Sequence, residues 1–137
     1  MSAAVLVDTS ALLAIANPRD QYHKVATALA RRHLAAGGRF ASSTLVLAEL
    51  HGHLLYRRGP EPARRVLDAL LSDQAYTWHD VSAELMEGTL SQWLEGFHDQ
   101  RFSLTDAVSF ELMRTLRIRV AFAYDDDFRV AGFETLG

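Results

Sequence analysis

The sequence contains no cysteine, a single lysine and no long apolar run, and each absence excludes a class of chemistry. Without cysteine there are no disulfide bonds, thiolate zinc sites or cysteine nucleophiles. No apolar stretch approaches the ~18 residues that a membrane span needs. The apolar run near the N-terminus has no positively charged stretch before it, so we expect no secretory signal and a cytoplasmic location.

The net charge and the absence of nucleotide-binding motifs limit the classes of ligand that the sequence supports. Neither GxGxxG nor GxxxxGK[ST] occurs, so a nucleotide cofactor has no motif to support it. The net charge is −3, which gives no overall basic signature for nucleic acid. Every basic residue except Lys24 is an arginine, however, and the arginine fork can donate two hydrogen bonds to one phosphate. An RNA partner therefore depends on where the arginines lie.

The pattern of apolar segments predicts one α/β domain covering residues 1–137. Apolar residues make up 49% of the 137 residues, which is enough to bury a core. Strands and helices alternate, with one pair of adjacent helices, and this order favours a mostly parallel sheet covered by helices on both faces. The predicted strands are 4–7, 39–42, "AYTWHDV", "RVAFAY" and "ETLG". The predicted helices are 10–16, 22–36, 44–58, a helix that has Pro62 in its first turn and ends at about Leu71, 82–97 and 106–116.

Two groups of acidic residues directly follow buried strands. Asp8 comes after "VLV", and the run 125–127 comes after "VAFAY". Ligands of open parallel sheets bind beyond the carboxyl ends of the strands. If the two strands are neighbours, these carboxylates meet at one edge of the sheet.

Two further acids lie in helices, and all four positions also have structural explanations. Glu49 lies within the apolar helix "TLVLAELHGHLL", and Asp106 opens the helix "LTDAVSFELM". Asp8 could cap a helix, Asp106 could complement a helix dipole, Glu49 could be exposed and 125–127 could form a polar turn. Carboxylates that converge in a partly buried site repel one another, so convergence would require a cation. Oxygen ligands favour Mg²⁺, with Mn²⁺ as a substitute.

Four segments resemble a known family in order and spacing: "VLVDTSALLAI", "LAEL", "SLTDAVSFELM" and "AFAYDDDFRVAGFETL". They are similar to the PIN domain and, more narrowly, to VapC toxin ribonucleases of VapBC toxin–antitoxin pairs. The resemblance implies a three-layer α/β/α sandwich with about five strands. It also implies Mg²⁺-dependent cleavage of single-stranded or looped RNA, a homodimer and a VapB-like antitoxin.

The resemblance also assigns roles to the acidic residues. The four acids of the family fall on Asp8, Glu49, Asp106 and Asp125. Asp8, Asp106 and Asp125 would be metal ligands. Glu49 would hold water molecules of the metal shell and help to deprotonate the attacking one.

Three neighbouring residues are predicted to support these acids. The hydroxyl of Thr9 or Ser10 would order the site, as in the family. Asp127 would be an additional contributor. Within the run 125–127 we rank Asp125 first and Asp127 second, and we expect Asp126 to be a solvated turn residue.

Basic residues near the predicted edge are candidates for RNA contacts. Arg19 and Lys24 follow the first helix, and Arg101 precedes the helix that contains Asp106. The arginine pairs 31–32, 57–58 and 64–65 are expected mainly to be solvated helix faces.

Three other functions fit the leading aspartate less well. A haloacid-dehalogenase-like phosphatase needs a second aspartate two residues after the first, where this chain has Ser10. A phosphoacceptor receiver domain would have paired acids after the first strand and a lysine after a late one, but the lysine is Lys24. A non-catalytic PIN relative would have lost acids that are all present here.

Overall fold

The computed structural model describes residues 4–136, which form five strands and seven helices. The strands are β1 (Ala4–Val7), β2 (Arg39–Ser43), β3 (Tyr76–His79), β4 (Val120–Phe122) and β5 (Glu134–Leu136). The helices are α1 (Thr9–Ala16), α2 (His23–Ala35), α3 (Thr44–Arg58), α4 (Pro60–Ser72), α5 (Ala83–Thr89), α6 (Leu104–Leu116) and α7 (Asp127–Val130). A π-helical segment, Leu90–Glu95, continues α5.

The five strands form one sheet in the order β3-β2-β1-β4-β5. All four pairings are parallel. The chain adds β2 and β3 on one side of β1 and then crosses over to add β4 and β5 on the other side. The strand order therefore reverses between β1 and β4, which is where open parallel sheets bind ligands.

Helices cover both faces of the sheet, which confirms the predicted three-layer α/β/α sandwich. Val5 and Val7 pack with α1–α4 on one face, whereas Leu6 packs with α6, α7 and the π-helical segment on the other. Each fully buried side chain of this kind contributes about 1.5–3 kcal/mol. Burial on both faces explains why β1 is an unbroken apolar run. In the part of the chain that the structure describes, no helix is long and apolar enough to span a membrane.

Two predicted helix caps were wrong by one or two residues, and one helix was missed. Asp8 caps α1, rather than Thr9 or Ser10, and its side chain accepts from the Ser10 N–H. Ser103 caps α6, rather than Thr105, by accepting from the Asp106 N–H at 3.1 Å. The helix α7 has four residues, which are too few to show a helical period. The sequence therefore predicted only a polar turn at its start.

A buried carboxylate of α6 joins this helix to the π-helical segment on the second face. Glu111 is 3% exposed, and its carboxylate accepts from Trp93 Nε1 at 3.0 Å and from Arg114 Nε and Nη2 at 2.8 and 2.7 Å. A Cβ at Gly88 of α5 would come too close to Glu111 Oε2, so a larger residue there would require the carboxylate to move. The hydrogen bond from Trp93 holds α6, the helix that begins at the acidic end of the sheet, against the π-helical segment.

Candidate active site

An acidic cleft lies beyond the carboxyl ends of β1 and β4, at the point where the strand order reverses. It collects side chains from both strand ends, from α1, from α3 and from the start of α6. It is lined by Asp8, Thr9, Ser10, Leu13, Glu49, His53, Arg101, Ser103, Asp106, Asp125 and Asp127. The four acids that the sequence singled out thus lie in one cleft.

Asp8 links the central strand to the cleft and has one oxygen without a protein partner. Its backbone N–H donates to the Phe122 carbonyl at 3.0 Å, which ties the end of β1 to β4. The side chain is buried, and Oδ2 accepts from Ser10 Oγ at 2.8 Å. Oδ1 is buried without a hydrogen-bond partner among the described residues. A buried carboxylate oxygen left unpaired is unusual and indicates a missing partner.

Ser10 bridges the two strand ends that form the cleft. Its hydroxyl donates to Asp8 Oδ2 and accepts from the Tyr124 N–H at 3.0 Å. Thr9 also lines the cleft, but its Oγ1 is buried without a partner within residues 4–136. Of the two predicted ordering hydroxyls, Ser10 therefore makes the contact that orients Asp8.

We expect Ser10→Ala to lower activity by about 10- to 100-fold, the usual effect of losing a partner that orients a metal ligand. Losing two hydrogen bonds should also lower the free energy of unfolding by about 1–3 kcal/mol. Cleavage rates and urea denaturation test both effects. Ser72→Ala is the matched control, because that exposed hydroxyl donates to the Asp68 carbonyl at 2.8 Å in α4. Equal effects of the two variants would contradict the role of Ser10.

Three carboxylates from α6 and the β4–α7 turn converge in the cleft. Asp106, Asp125 and Asp127 each place an oxygen within 4.8 Å of the other two. Asp106 is buried in the first turn of α6, and the other two are half-buried. Asp125 Oδ1 accepts from the Asp127 N–H at 2.8 Å, which holds the turn in shape.

The middle residue of the acidic run lies outside this cluster. The Asp126 side chain is 87% exposed and accepts from Arg129 Nη1 at 2.8 Å. The turn therefore directs Asp125 and Asp127 to the cleft and Asp126 to solvent.

The helix α3 contributes Glu49 and a residue that the sequence reading missed. Glu49 is half-buried and lines the cleft together with His53. The two are four residues apart and so share one face of the helix, a spacing that could have identified His53. Sequence reasoning compared His53 only with His51, which lies on another face. Ser103, the α6 cap, is the other polar lining residue that was not foreseen.

Burial and mutual repulsion disfavour the charged forms of these acids. Burial raises the pKa of Asp8 to about 6 against the opposing hydrogen bond from Ser10. Burial, followed by the charges of Asp8 and Asp125, raises the pKa of Asp106 to about 8. The pKa of Asp127 is also raised, first by partial burial and then by Asp125. The described side chains around the cleft therefore do not offset the cost of ionising these three carboxylates.

The residues present fit a hard divalent cation. A cation would supply the missing partner of Asp8 Oδ1 and offset the repulsion among three converging carboxylates. The donors are all oxygens, which is the set that Mg²⁺ and Mn²⁺ accept. Two of the predicted ligands, Asp106 and Asp125, lie in the cluster, and Asp8 faces the same cleft.

The three predicted basic contacts lie in different places. Arg101 lines the acidic cleft. Arg19 lines a neighbouring groove between the end of α1 and the end of α3. Lys24 is exposed on α2 and does not line the cleft.

Comparison with known proteins agrees with this architecture. The sequence profile of the PIN domain matches residues 5–134. The chain is 33% identical over 129 residues to the 23S rRNA-specific endonuclease VapC20 of Mycobacterium tuberculosis. The alignment covers 94% of this chain and 95% of the relative.

Two solved structures share the fold over almost the whole chain. The crystal structure of M. tuberculosis VapC20, described as a toxin that cleaves the sarcin–ricin loop, superposes with a TM-score of 0.81 at 32% identity, covering 94% of this chain and 95% of that one. The structure of VapBC2 from Rickettsia felis, bound to a DNA fragment from its promoter, matches with a TM-score of 0.69 over 97% of both chains. Its identity of 19% supports the fold alone.

Proposed function

Because the chain belongs to the PIN-domain family and, within it, to the VapC-type nucleases, we propose that it is an Mg²⁺-dependent endoribonuclease, the toxin of a toxin–antitoxin pair. The observation that carries this proposal is the acidic cleft. It lies where the strand order reverses, and it combines an unpaired buried oxygen of Asp8 with the cluster formed by Asp106, Asp125 and Asp127.

In this proposal each acid has a distinct task. Asp8, Asp106 and Asp125 would hold the cation, and Asp127 supports Asp125 through the turn that they share. Glu49 lines the cleft from α3 and would accept the proton of the attacking water. Ser10 holds Asp8 in its binding orientation.

A bound divalent ion would lower the pKa of the attacking water and offset the charge that grows on the phosphate. The protein supplies orientation, because its ligands come from three rigid elements: β1, α6 and the β4–α7 turn. No side chain is needed as a covalent nucleophile. In-line attack by water leaves a 5′-phosphate and a 3′-hydroxyl.

The similarity to VapC20 makes ribosomal RNA the first substrate to test. We expect the purified protein to cut RNA in intact ribosomes with Mg²⁺ or Mn²⁺ and to lose this activity in EDTA. Sequencing of RNA ends after a short incubation would locate the cuts, and restoring Mg²⁺ would restore them.

The distribution of cuts tests the proposal at two levels. A single metal-dependent cut in one stable RNA would support a specific toxin, and scattered cuts would support a general nuclease. Cleavage that persists in EDTA would overturn the metal mechanism. If no RNA is cut in Mg²⁺, the endonuclease proposal is wrong.

We also propose a VapB-like antitoxin and a homodimer as the partners of this chain. Support comes from exposed apolar side chains on the α3–α4 pair: Leu55 is 43%, Tyr56 92% and Leu71 59% exposed. Apolar surface of this kind marks protein contacts when it is contiguous.

A further inference from the structure

A groove rich in arginine adjoins the acidic cleft. We call it the arginine groove: Arg19, Arg57 and Arg58 lie along its rim, and Leu13, Pro18 and Leu54 contribute apolar surface. Its volume of about 530 Å³ falls within the ~300–1,000 Å³ of ligand-binding clefts. Leu13 lines both the groove and the acidic cleft, so the two are adjacent.

The positive charge of this groove is not neutralised by the described part of the protein. None of the three arginines forms a salt bridge with any residue between 4 and 136. Arg58 donates one hydrogen bond, from Nη1 to the Ala16 carbonyl at 3.2 Å, which joins α3 to the end of α1. The guanidinium groups of Arg19 and Arg57 bind no side chain or carbonyl among residues 4–136, so both can bind an external anion. Three uncompensated guanidinium groups along one groove suit a polyanion with evenly spaced charges.

The acidic cleft needs such a surface next to it. Among the described residues, five acids and one arginine, Arg101, line the cleft, and no lysine does. A phosphodiester entering it would meet repulsion unless neighbouring phosphates were held elsewhere. Phosphate contacts supply most of the affinity of non-specific nucleic-acid binding.

We propose that the arginine groove binds the phosphate backbone of the RNA strand next to the nucleotide being cleaved, with Arg19 and Arg57 as the phosphate contacts. This inference rests on the proposed ribonuclease function and adds a second part to its substrate site. The apolar surface formed by Leu13, Pro18 and Leu54 would contact the sugar and the face of a base. The position of the groove next to the cleft favours RNA over an acidic protein segment, because a strand bound in the cleft would extend past Leu13 into the groove.

The test compares two double variants with the same change in net charge. Arg19→Glu/Arg57→Glu alters the groove and leaves Arg58, which has a structural bond, in place. Arg31→Glu/Arg32→Glu is the control, because these exposed residues near the end of α2 lie toward the opposite edge of the sheet, where β2 begins. Both are made in the Asp106→Asn background to prevent cleavage. Binding of a fluorescent 20-nucleotide oligouridylate is measured in Mg²⁺ over a range of KCl concentrations.

We expect the groove variant to bind at least about tenfold more weakly at low salt and the control at most about two- to threefold. The slope of log Kd against log salt should fall by about 1.4 in the groove variant, since each phosphate contact on single strands contributes about 0.7. Thermal melting checks that both variants are folded. The milder pairs Arg19→Gln/Arg57→Gln and Arg31→Gln/Arg32→Gln repeat the comparison if a charge reversal impairs folding.

Three results would overturn the inference. Equal weakening by the two pairs would mean that only total charge matters, and unchanged binding by the groove variant would mean that RNA does not enter the groove. A 15-residue oligoglutamate at equal concentration could displace the RNA from the parent protein but not from the groove variant. That result would assign the groove to an acidic protein segment. The difference in RNA binding between the two double variants does not depend on catalysis. A wild-type protein that cleaves no RNA would therefore refute the nuclease proposal without refuting RNA binding in the groove.

Discussion

Asp106→Asn is expected to lower RNA cleavage at least about a thousandfold while leaving the protein folded. The amide would keep the shape of the aspartate side chain but lose the negative charge that attracts the cation. A bound cation would stabilise the charge of the transition state by several kcal/mol, and a loss of about 4 kcal/mol corresponds to roughly a thousandfold in rate. Single-turnover cleavage in saturating Mg²⁺, with circular dichroism as a check on folding, measures the effect.

The acidic run after β4 supplies matched controls for this experiment. Asp125→Asn should also cause a large loss, because Asp125 belongs to the cluster with Asp106 and Asp127. Asp126→Asn makes the same chemical change one residue away, on a side chain that faces solvent and pairs with Arg129. Its cleavage rate should stay within about twofold of wild type, since exposed pairs of this kind contribute ~1 kcal/mol or less to stability. Near-normal cleavage by Asp106→Asn, or equal losses at positions 125 and 126, would remove the acidic cluster from the mechanism.

The fold and the place of the site followed from patterns that the sequence displays. The two most apolar strands end in aspartate, and parallel pairing of β1 with β4 brings those ends together. Asp8 also shows that structural and functional explanations need not compete. It caps α1 through Oδ2 and leaves Oδ1 buried without a partner among the described residues. The helix-cap alternative was therefore right about Asp8 without accounting for its second oxygen.

Other features of the site depend on geometry that a linear pattern does not contain. In the run 125–127 three identical residues differ only in the direction that the turn gives each side chain. The arginine groove is formed by the ends of α1 and α3, which are about forty residues apart in the chain. Sequence reasoning assigned the pair 57–58 mainly to a solvated helix face. It could not foresee that the turn after α1 would place Arg19 beside Arg57.

Removal of metal is expected to make the stability of the protein fall as the pH rises from 5 to 8.5. Aspartate has a pKa near 3.8 in the unfolded chain, whereas the pKa is about 6 for Asp8 and about 8 for Asp106 in the folded protein. The folded state thus holds protons that the unfolded state has released. The free energy of unfolding that these two protons contribute is fully present below pH 3.8 and is lost as the pH rises through 6 and then 8. Each pH unit of this window removes about 1.4 kcal/mol per proton held, so the total fall is a few kcal/mol.

Urea denaturation in EDTA at pH 5, 7 and 8.5, repeated in 10 mM Mg²⁺, measures this linkage. Mg²⁺ should restore most of the stability lost at pH 8.5, because a bound cation favours the ionised carboxylates. In EDTA, Asp106→Asn should be more stable than wild type at pH 8.5 and should show a flatter pH dependence, since the amide side chain does not titrate. Asp126→Asn should follow the wild-type curve. If Asp106→Asn also follows the wild-type curve, the raised pKa of Asp106 is wrong. If neither Mg²⁺ nor Mn²⁺ changes the stability of the wild-type protein at pH 8.5, the cleft does not bind a cation.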